Sequence, residues 1–374
     1  MSEFYVPRTE LAEAVYNRTK PDPILGSHSG LFLAAPRRTG KSTFLRRDLV
    51  PLLEAKGLFT IYVDLWSDRE ADPGRLIAHA IARALDSVSG PLEKAVERFM
   101  PKSISVGGVT VDLATPGGTR TATLAEALVS IGKRAGKDVA LIVDEAQHAL
   151  TSKAGLDAIF ALKAARDEMN QRAAGERLYL VFTGSHRDKL TGFVYGHKDP
   201  FYGSVVSDFP KLGRPYLEAL VKALNERLAP DNQLDVTDVE AAFALVGYQP
   251  EVLTRLLRDH ALGEEGSRGL HRTVTQRADA LRQLRWEQHR SDYGMLKDTE
   301  KAVLALLARS GQDFTPFSEA SLRSVGEILN RTVTASDMQK ALDALREKSL
   351  VWRQTRGLYA LEDQDMRDWL LGAV

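Results

Sequence analysis

Four short runs of nearly unbroken apolar residues, 30–35, 58–65, 138–145 and 177–184, alternate with stretches of helical periodicity up to Pro210. Strands that are apolar at every position must be covered on both faces, and helices between successive strands give that cover in a parallel sheet. The pattern predicts an α/β fold on a parallel sheet. Between the second and third runs, I-S-V-G-G-V-T-V-D-L-A-T-P-G-G-T-R (104–120) alternates around two Gly-Gly pairs and reads as a small inserted hairpin.

The first run leads into A-P-R-R-T-G-K-S-T (35–43) and then a helical pattern. This nearly fits G-x-x-x-x-G-K-[ST], the phosphate loop. Gly40, Lys41 and Ser42 match, and Ala35 stands at the usual first glycine. A strand-loop-helix of this kind turns backbone N–H groups and a helix N-terminus toward an anion. Pro36, Arg37, Arg38, Thr39 and Gly40, with Lys41, Ser42 and Thr43, are thus the candidate phosphate-binding residues of an ATP site. Lys41 would reach the β- and γ-phosphates, and Ser42 would help hold Mg²⁺. The doubled Arg37–Arg38 either contacts phosphate or a neighbouring subunit, or points to solvent.

The third run ends in Asp144 and Glu145. A carboxylate at the end of a buried strand beside the loop can support Mg²⁺, here Asp144, and the next can take a proton from attacking water, here Glu145. The fourth run ends in Thr183 and Ser185, with Arg187 close behind. Any of these could report a γ-phosphate, and Arg187 could supply positive charge.

From Leu212 to about Arg290 apolar residues recur three and four apart, which predicts an all-α bundle. Its last stretch, 268–290, holds six arginines against Asp279 and Glu287. From Asp298, three helical patterns precede two short strands around a glycine turn, the order of a winged helix. In the first, Val303, Leu306 and Leu307 share a face. In the third, Thr334 and Asp337 have capping-box spacing and Met338, Leu342 and Leu345 form the inner stripe. The expected division is 1–210, 211–292 and 293–374.

With 374 residues, no cysteine, and 50 basic against 50 acidic side chains, the chain has no global field toward nucleic acid or membrane and no thiolate chemistry. No apolar run approaches the ~20 residues of a membrane helix, so a cytoplasmic protein without a membrane contact is expected. The Gly26–Gly30 stretch centres on His28, not on a nucleophilic serine. Trp66, Trp286, Trp352 and Trp369 read as packing residues.

F-Y-V-P-R-T-E-L (4–11), A-P-R-R-T-G-K-S-T-F-L (35–45), V-D-E-A-Q (143–147), F-T-G-S-H-R-D-K-L (182–190) and F-Y-G-S-V-V-S-D-F-P-K-L-G (201–213) together resemble the AAA+-related P-loop ATPases of the STAND and archaeal-ATPase group, over most of residues 4–260. The resemblance implies an AAA+-like core, an all-α lid and a C-terminal winged helix. It implies that Tyr5, Val6 and Arg8 lie against the adenine, with Pro7 where the family has glycine. It implies a lid element at Gly247 and Pro250. Ser204 follows Gly203 where archaeal members often carry an arginine.

Two roles follow as expectations. One is a nucleotide-controlled switch acting on a partner protein. The other is an ATPase of the origin-recognition or transposition-regulator type that engages double-stranded DNA through the winged helix and segment 268–290. The third C-terminal helix favours the first: Lys340, Arg346 and Lys348 face Asp337, Asp343 and Glu347, a neutral balance, whereas DNA readers concentrate positive charge. Arg353 and Arg356 on the hairpin favour the second. Homo-oligomerisation is open, as is ATP held without useful turnover.

Overall fold

A computed structural model describes residues 4–20, 29–89, 102–106, 109–112, 121–172, 175–230, 233–261, 270–355 and 357–373. His28, Arg268 and Arg356 lie outside the described residues. The chain forms two compact units. One contains Pro7–Ala35 and Lys41–Phe209; the other contains the segment ending at Val6, Pro36–Gly40 and Pro210 onward.

The first unit is built on strands β1 (Leu31–Ala34), β2 (Phe59–Asp64), β3 (Ser103–Val106), β4 (Val109–Asp112), β5 (Thr121–Thr123), β6 (Val139–Asp144), β7 (Leu178–Gly184) and β8 (Val206–Asp208). Five of them make a parallel sheet in the order β2-β6-β7-β1-β8. Alternate residues of each central strand enter different cores. Phe32, Ile61, Val63, Leu141, Val143, Leu180 and Phe182 meet the helices Pro73–Ser87, Leu124–Ala135 and Lys153–Gln171 on one face. Leu31, Leu33, Ala140, Ile142 and Val181 share the opposite core with Ala12, Val15, Leu45 and Leu49. Two-sided burial is why the runs read as continuous rather than alternating.

Two strands carry no strong sequence signal. β8, only three residues long, pairs Val206 with Phe32 at the sheet edge and is half exposed. β5 is T-A-T with only Ala122 buried, and it joins the inserted hairpin by pairing in parallel with β3. The insertion is therefore a three-stranded sheet rather than a hairpin alone.

The helix after the loop is also modified. Lys41–Phe44 is α-helical, Leu45–Leu49 is π-helical, and Val50–Ala55 returns to α. Pro51 has no N–H for the carbonyl four residues back, and the wider turn just before it absorbs that lost bond.

In the second unit the helices Arg214–Asn225, Val236–Leu245, Pro250–Ala261 and Leu270–Gly294 enclose a core of Leu217, Val221, Val239, Phe243, Val246, Leu253 and Val274. A second core unites the helices Asp298–Ser310, Glu319–Leu329 and Ala335–Glu347, the antiparallel pair β9 (Val351–Thr355) and β10 (Leu358–Leu361), and a closing helix Gln364–Ala373. Leu304 is fully buried there and Leu306 only partly, so the inner face of Asp298–Ser310 includes Leu304 beside Val303 and Leu307. Thr334 and Asp337 make the capping box, and Met338, Leu342 and Leu345 are buried.

The long helix Leu270–Gly294 serves both cores. Val274 and Ala278 enter the first; Trp286 and Tyr293 pack on the second. It passes as one element through the expected boundary at 292–293. Arg285 fixes it at both sides, its Nη2 donating to the Leu245 carbonyl at 2.5 Å and its Nε to Asp365 Oδ2 at 3.0 Å.

Candidate functional site

Parallel strands put the ends of β1, β2, β6 and β7 on one rim, where open α/β sheets bind ligands. Residues from all four strands or their following turns converge there. Lys41 is buried at 5 % exposure; its Nζ donates to Glu145 Oε1 at 2.7 Å and lies 3.4 Å from Asp144 Oδ1. Ser42 Oγ donates to Asp144 Oδ2 at 2.6 Å. Thr183 Oγ1 donates to Asp144 Oδ1, and the Glu145 N–H reaches the same oxygen at 3.0 Å. Ser185 Oγ donates to Glu145 Oε2 at 2.7 Å. Six residues singled out in the sequence are thus in one network.

The loop backbone is shaped for anions. Arg38 has φ 65° and Gly40 φ 87°, on either side of Thr39. Alternating right- and left-handed residues turn successive N–H groups inward, a nest for oxyanions. Thr39 Oγ1 ties the loop by donating to the Pro36 carbonyl at 2.8 Å. Arg37, Arg38 and Thr43 are exposed. Glu145 also takes a left-handed φ of 53°, which ends β6 and swings its side chain toward Lys41 and Ser185.

Electrostatics follow from this crowding. Burial pushes the Glu145 carboxyl up, but the Lys41 ammonium and the donors Ser185 and Gln147 outweigh it and hold it down to about 2. Asp64 pairs in register with Asp144 at the end of β2. Burial raises its carboxyl above the ordinary range; the Trp66 N–H opposes this, and the charge of Asp144 adds to it.

Some functional residues were missed in the sequence. Tyr62 is read there as a strand residue, yet its hydroxyl donates to Asp144 Oδ2 at 3.0 Å. Burial, then the Asp144 charge, push the phenol above its ordinary value. Arg46 stacks on the ring at 4.8 Å. Gln147 Nε2 donates to Glu145 Oε2 at 2.5 Å and Ser185 Oγ at 3.1 Å. The signal available for Asp64 was the same as for Asp144, an acid closing an apolar run; Gln147 offered only its position two residues after Glu145.

The remaining candidates have the following neighbours within their own units. Arg187 opens a short helix, Arg187–Thr191, and pairs with Asp208 at the end of β8. Arg8 sits with its guanidinium 4.9 Å from the Phe209 ring and 5.8 Å from Phe44, and its N–H donates to Asp48 at 3.0 Å. Tyr5 and Val6 are half-buried, in a segment where Phe4 meets Tyr216 at 6.1 Å. Gly247 has φ 70°, and Pro250 opens the helix Pro250–Ala261.

Three described arginines of the helix Leu270–Gly294 differ in their surroundings. Arg285 is committed to Asp365, Arg282 pairs with Asp279 at 2.5 Å, and Arg290 is exposed. On the helix Ala335–Glu347 and just after it, Arg346 lies 3.6 Å from Asp343 and Lys348 pairs with Glu300.

Among the described residues no three His, Cys, Asp or Glu side chains gather into a group able to hold a metal alone. The adjacent Ser42 hydroxyl and Asp144 carboxylate are the oxygen donors that would hold a Mg²⁺ ion. No helix among the described residues is long and apolar enough to cross a membrane.

A parallel sheet with a phosphate loop after β1, acids after β6 and polar side chains after β7 is a P-loop NTPase-like fold, here followed by a mostly helical C-terminal part. Residues 26–190 match the family model described as AAA domain. Two solved structures are similar over nearly the whole chain. The Walker-type ATPase of Pyrococcus abyssi is 17 % identical, with a TM-score of 0.54, covering 97 % of this chain and 95 % of that one. The ORC2 protein of Aeropyrum pernix in its ADP form is 15 % identical, also at 0.54, covering 99 % and 97 %. No curated protein matches the chain.

Proposed function

We propose that this protein binds and hydrolyses ATP with Mg²⁺ and uses the cycle as a switch acting on a partner protein. The observation that carries the reading is the buried double link of the loop to the acids, Lys41 to Glu145 and Ser42 to Asp144. Lys41 leaves Glu145 for the β- and γ-phosphates, because a polyanion outcompetes a single carboxylate. Asp144, held by Ser42, Thr183 and Tyr62, supports the metal with Ser42. Mg²⁺ bound there would neutralise charge on the phosphate oxygens. Glu145, released by Lys41, takes a proton from water as the water oxygen bonds to the γ-phosphorus and the bridging oxygen departs with ADP. Thr183 and Ser185, at the end of β7, feel the change at the γ-position. The ADP form of the ORC2 protein from Aeropyrum pernix, a similar fold, supports nucleotide binding.

The helical segment 211–292 is read as the lid, where Pro250 would meet the base side, and 293–374 as a winged helix of the kind found in STAND-like proteins. Its helix-helix-helix-hairpin order supports that reading. The ion pairs of Arg346, Lys348, Arg282 and Arg285 favour a protein partner over DNA. The test is ATP turnover with and without duplex DNA, beside Glu145→Gln. Turnover that is abolished by Glu145→Gln and indifferent to DNA supports the switch. Turnover rising severalfold with DNA, in a salt-sensitive way, transfers the role to a DNA-engaging ATPase.

A further inference from the structure

Gln147 has no part in the chemistry above, yet it is one of the most deeply buried polar side chains at the rim, at 2 % exposure. Its amide nitrogen serves two acceptors at once, Glu145 Oε2 at 2.5 Å and Ser185 Oγ at 3.1 Å. Its amide oxygen is buried with no hydrogen-bond partner. The carboxylate fixes this orientation, since a turned amide would set oxygen against oxygen. Leaving a buried carbonyl unsatisfied is unfavourable, so the arrangement keeps the two donor contacts at the expense of the third. The chain makes room for it: a methyl group on Gly184 would stand 2.3 Å from Gln147 Oε1.

The two oxygens of Glu145 are therefore held differently. Oε1 has the Lys41 ammonium. Oε2 has Gln147, the Ser185 hydroxyl at 2.7 Å and the Ser185 N–H at 3.3 Å. Lys41 is the partner that a phosphate removes; the Gln147 and Ser185 contacts are made by groups on the protein's own rim.

We infer that Gln147 is a positioning residue: with Ser185 it anchors Oε2 of Glu145 to the end of β7, so that phosphate capture of Lys41 frees Oε1 alone, aimed at the attacking water. The inference rests on the reading of Glu145 as the general base. Without the anchor the carboxylate turns about its side-chain torsions once Lys41 leaves, and the fraction of time spent in a productive orientation falls. Binding of ATP, which uses the loop and Lys41, is left nearly intact.

The experiment compares full-length wild type, Gln147→Met, Ser185→Ala and Glu145→Gln in steady-state ATP turnover and equilibrium ATP binding, with thermal melts on each. Gln147→Met keeps the volume and removes the donor; Ser185→Ala removes the other donor should the methionine variant fail to fold. The expected result is a kcat lowered about tenfold or more in either folded variant, with KM for ATP within about threefold. Unchanged kcat in a folded variant, with Glu145→Gln inactive, overturns the anchor and leaves the base in place. Equal loss of ATP binding and turnover overturns it too, because a residue that merely supports the fold would behave so. Full turnover in Glu145→Gln overturns the base and the anchor together.

Discussion

Lys41 Nζ and Glu145 Oε1 lie 2.7 Å apart, across 104 residues of sequence. The pair joins the first turn after the phosphate loop to the end of β6, and it holds Glu145 down to about 2 from its ordinary 4.5. A carboxyl depressed in the folded state stabilises the fold above its unfolded value, and that contribution fades as pH falls through the folded value. The loss therefore falls between about pH 4.5 and about pH 2 and amounts to about 3 kcal/mol at most. Urea unfolding midpoints at pH 6 and pH 3 measure it, and Glu145→Gln is expected to show a clearly shallower fall over that interval.

Tyr62→Phe removes a donor from Asp144, whose two oxygens also receive Ser42, Thr183 and the Glu145 N–H. The expected loss is about 1.5–3 kcal/mol of stability, the usual value for a hydrogen bond to a charged group. Mg²⁺ titration of ATP binding should show weaker metal dependence than in wild type. A variant with wild-type stability and metal dependence would mean that the phenol is incidental to Asp144.

Gly184→Ala tests the close approach at the end of β7. The added methyl would meet Gln147 Oε1 at 2.3 Å and Leu190 Cγ at 2.9 Å. Overpacking of this order costs about 1–3 kcal/mol, and kcat should fall with it because the clash displaces Gln147. A thermal melt within experimental error of wild type would contradict the contact.

Arg285→Ala acts in the helical unit. Burial raises the Asp365 carboxyl, but His289 and Arg285 hold it down to about 2. Removing Arg285 also strips the Leu245 carbonyl of its donor. A loss of about 1–3 kcal/mol is expected, read by chemical denaturation at pH 7, with ATP binding at the loop unaffected. Stability equal to wild type would show that the long helix is held by its apolar contacts alone.

The parallel sheet was legible because its central strands β1, β6 and β7 are buried on both faces, and Gly40, Lys41, Ser42, Asp144 and Glu145 were legible because strand, loop and acid stand in fixed chain order. The same logic failed for β5 and β8, each three residues long with little apolar content to mark them. Tyr62 and Gln147 were invisible for another reason. Their roles come from register, Tyr62 through the in-register pairing of β2 with β6, and Gln147 through the short helical turn after Glu145. Which arginines of segment 268–290 are held by acids was not legible, since a charge in the sequence says nothing of whether a neighbouring acid already holds it. Arg285 and Arg282 are cases in point.

The central claim is that the rim binds Mg²⁺–ATP and that Glu145 activates the water. Its most direct test is single-turnover hydrolysis of ATP by wild type and Glu145→Gln, with equilibrium ATP binding measured on the same samples. The account predicts binding within a few fold in both proteins and a hydrolysis rate about 10²–10⁴-fold lower in the variant. Equal hydrolysis rates, or no Mg²⁺-dependent ATP binding by wild type, would contradict it.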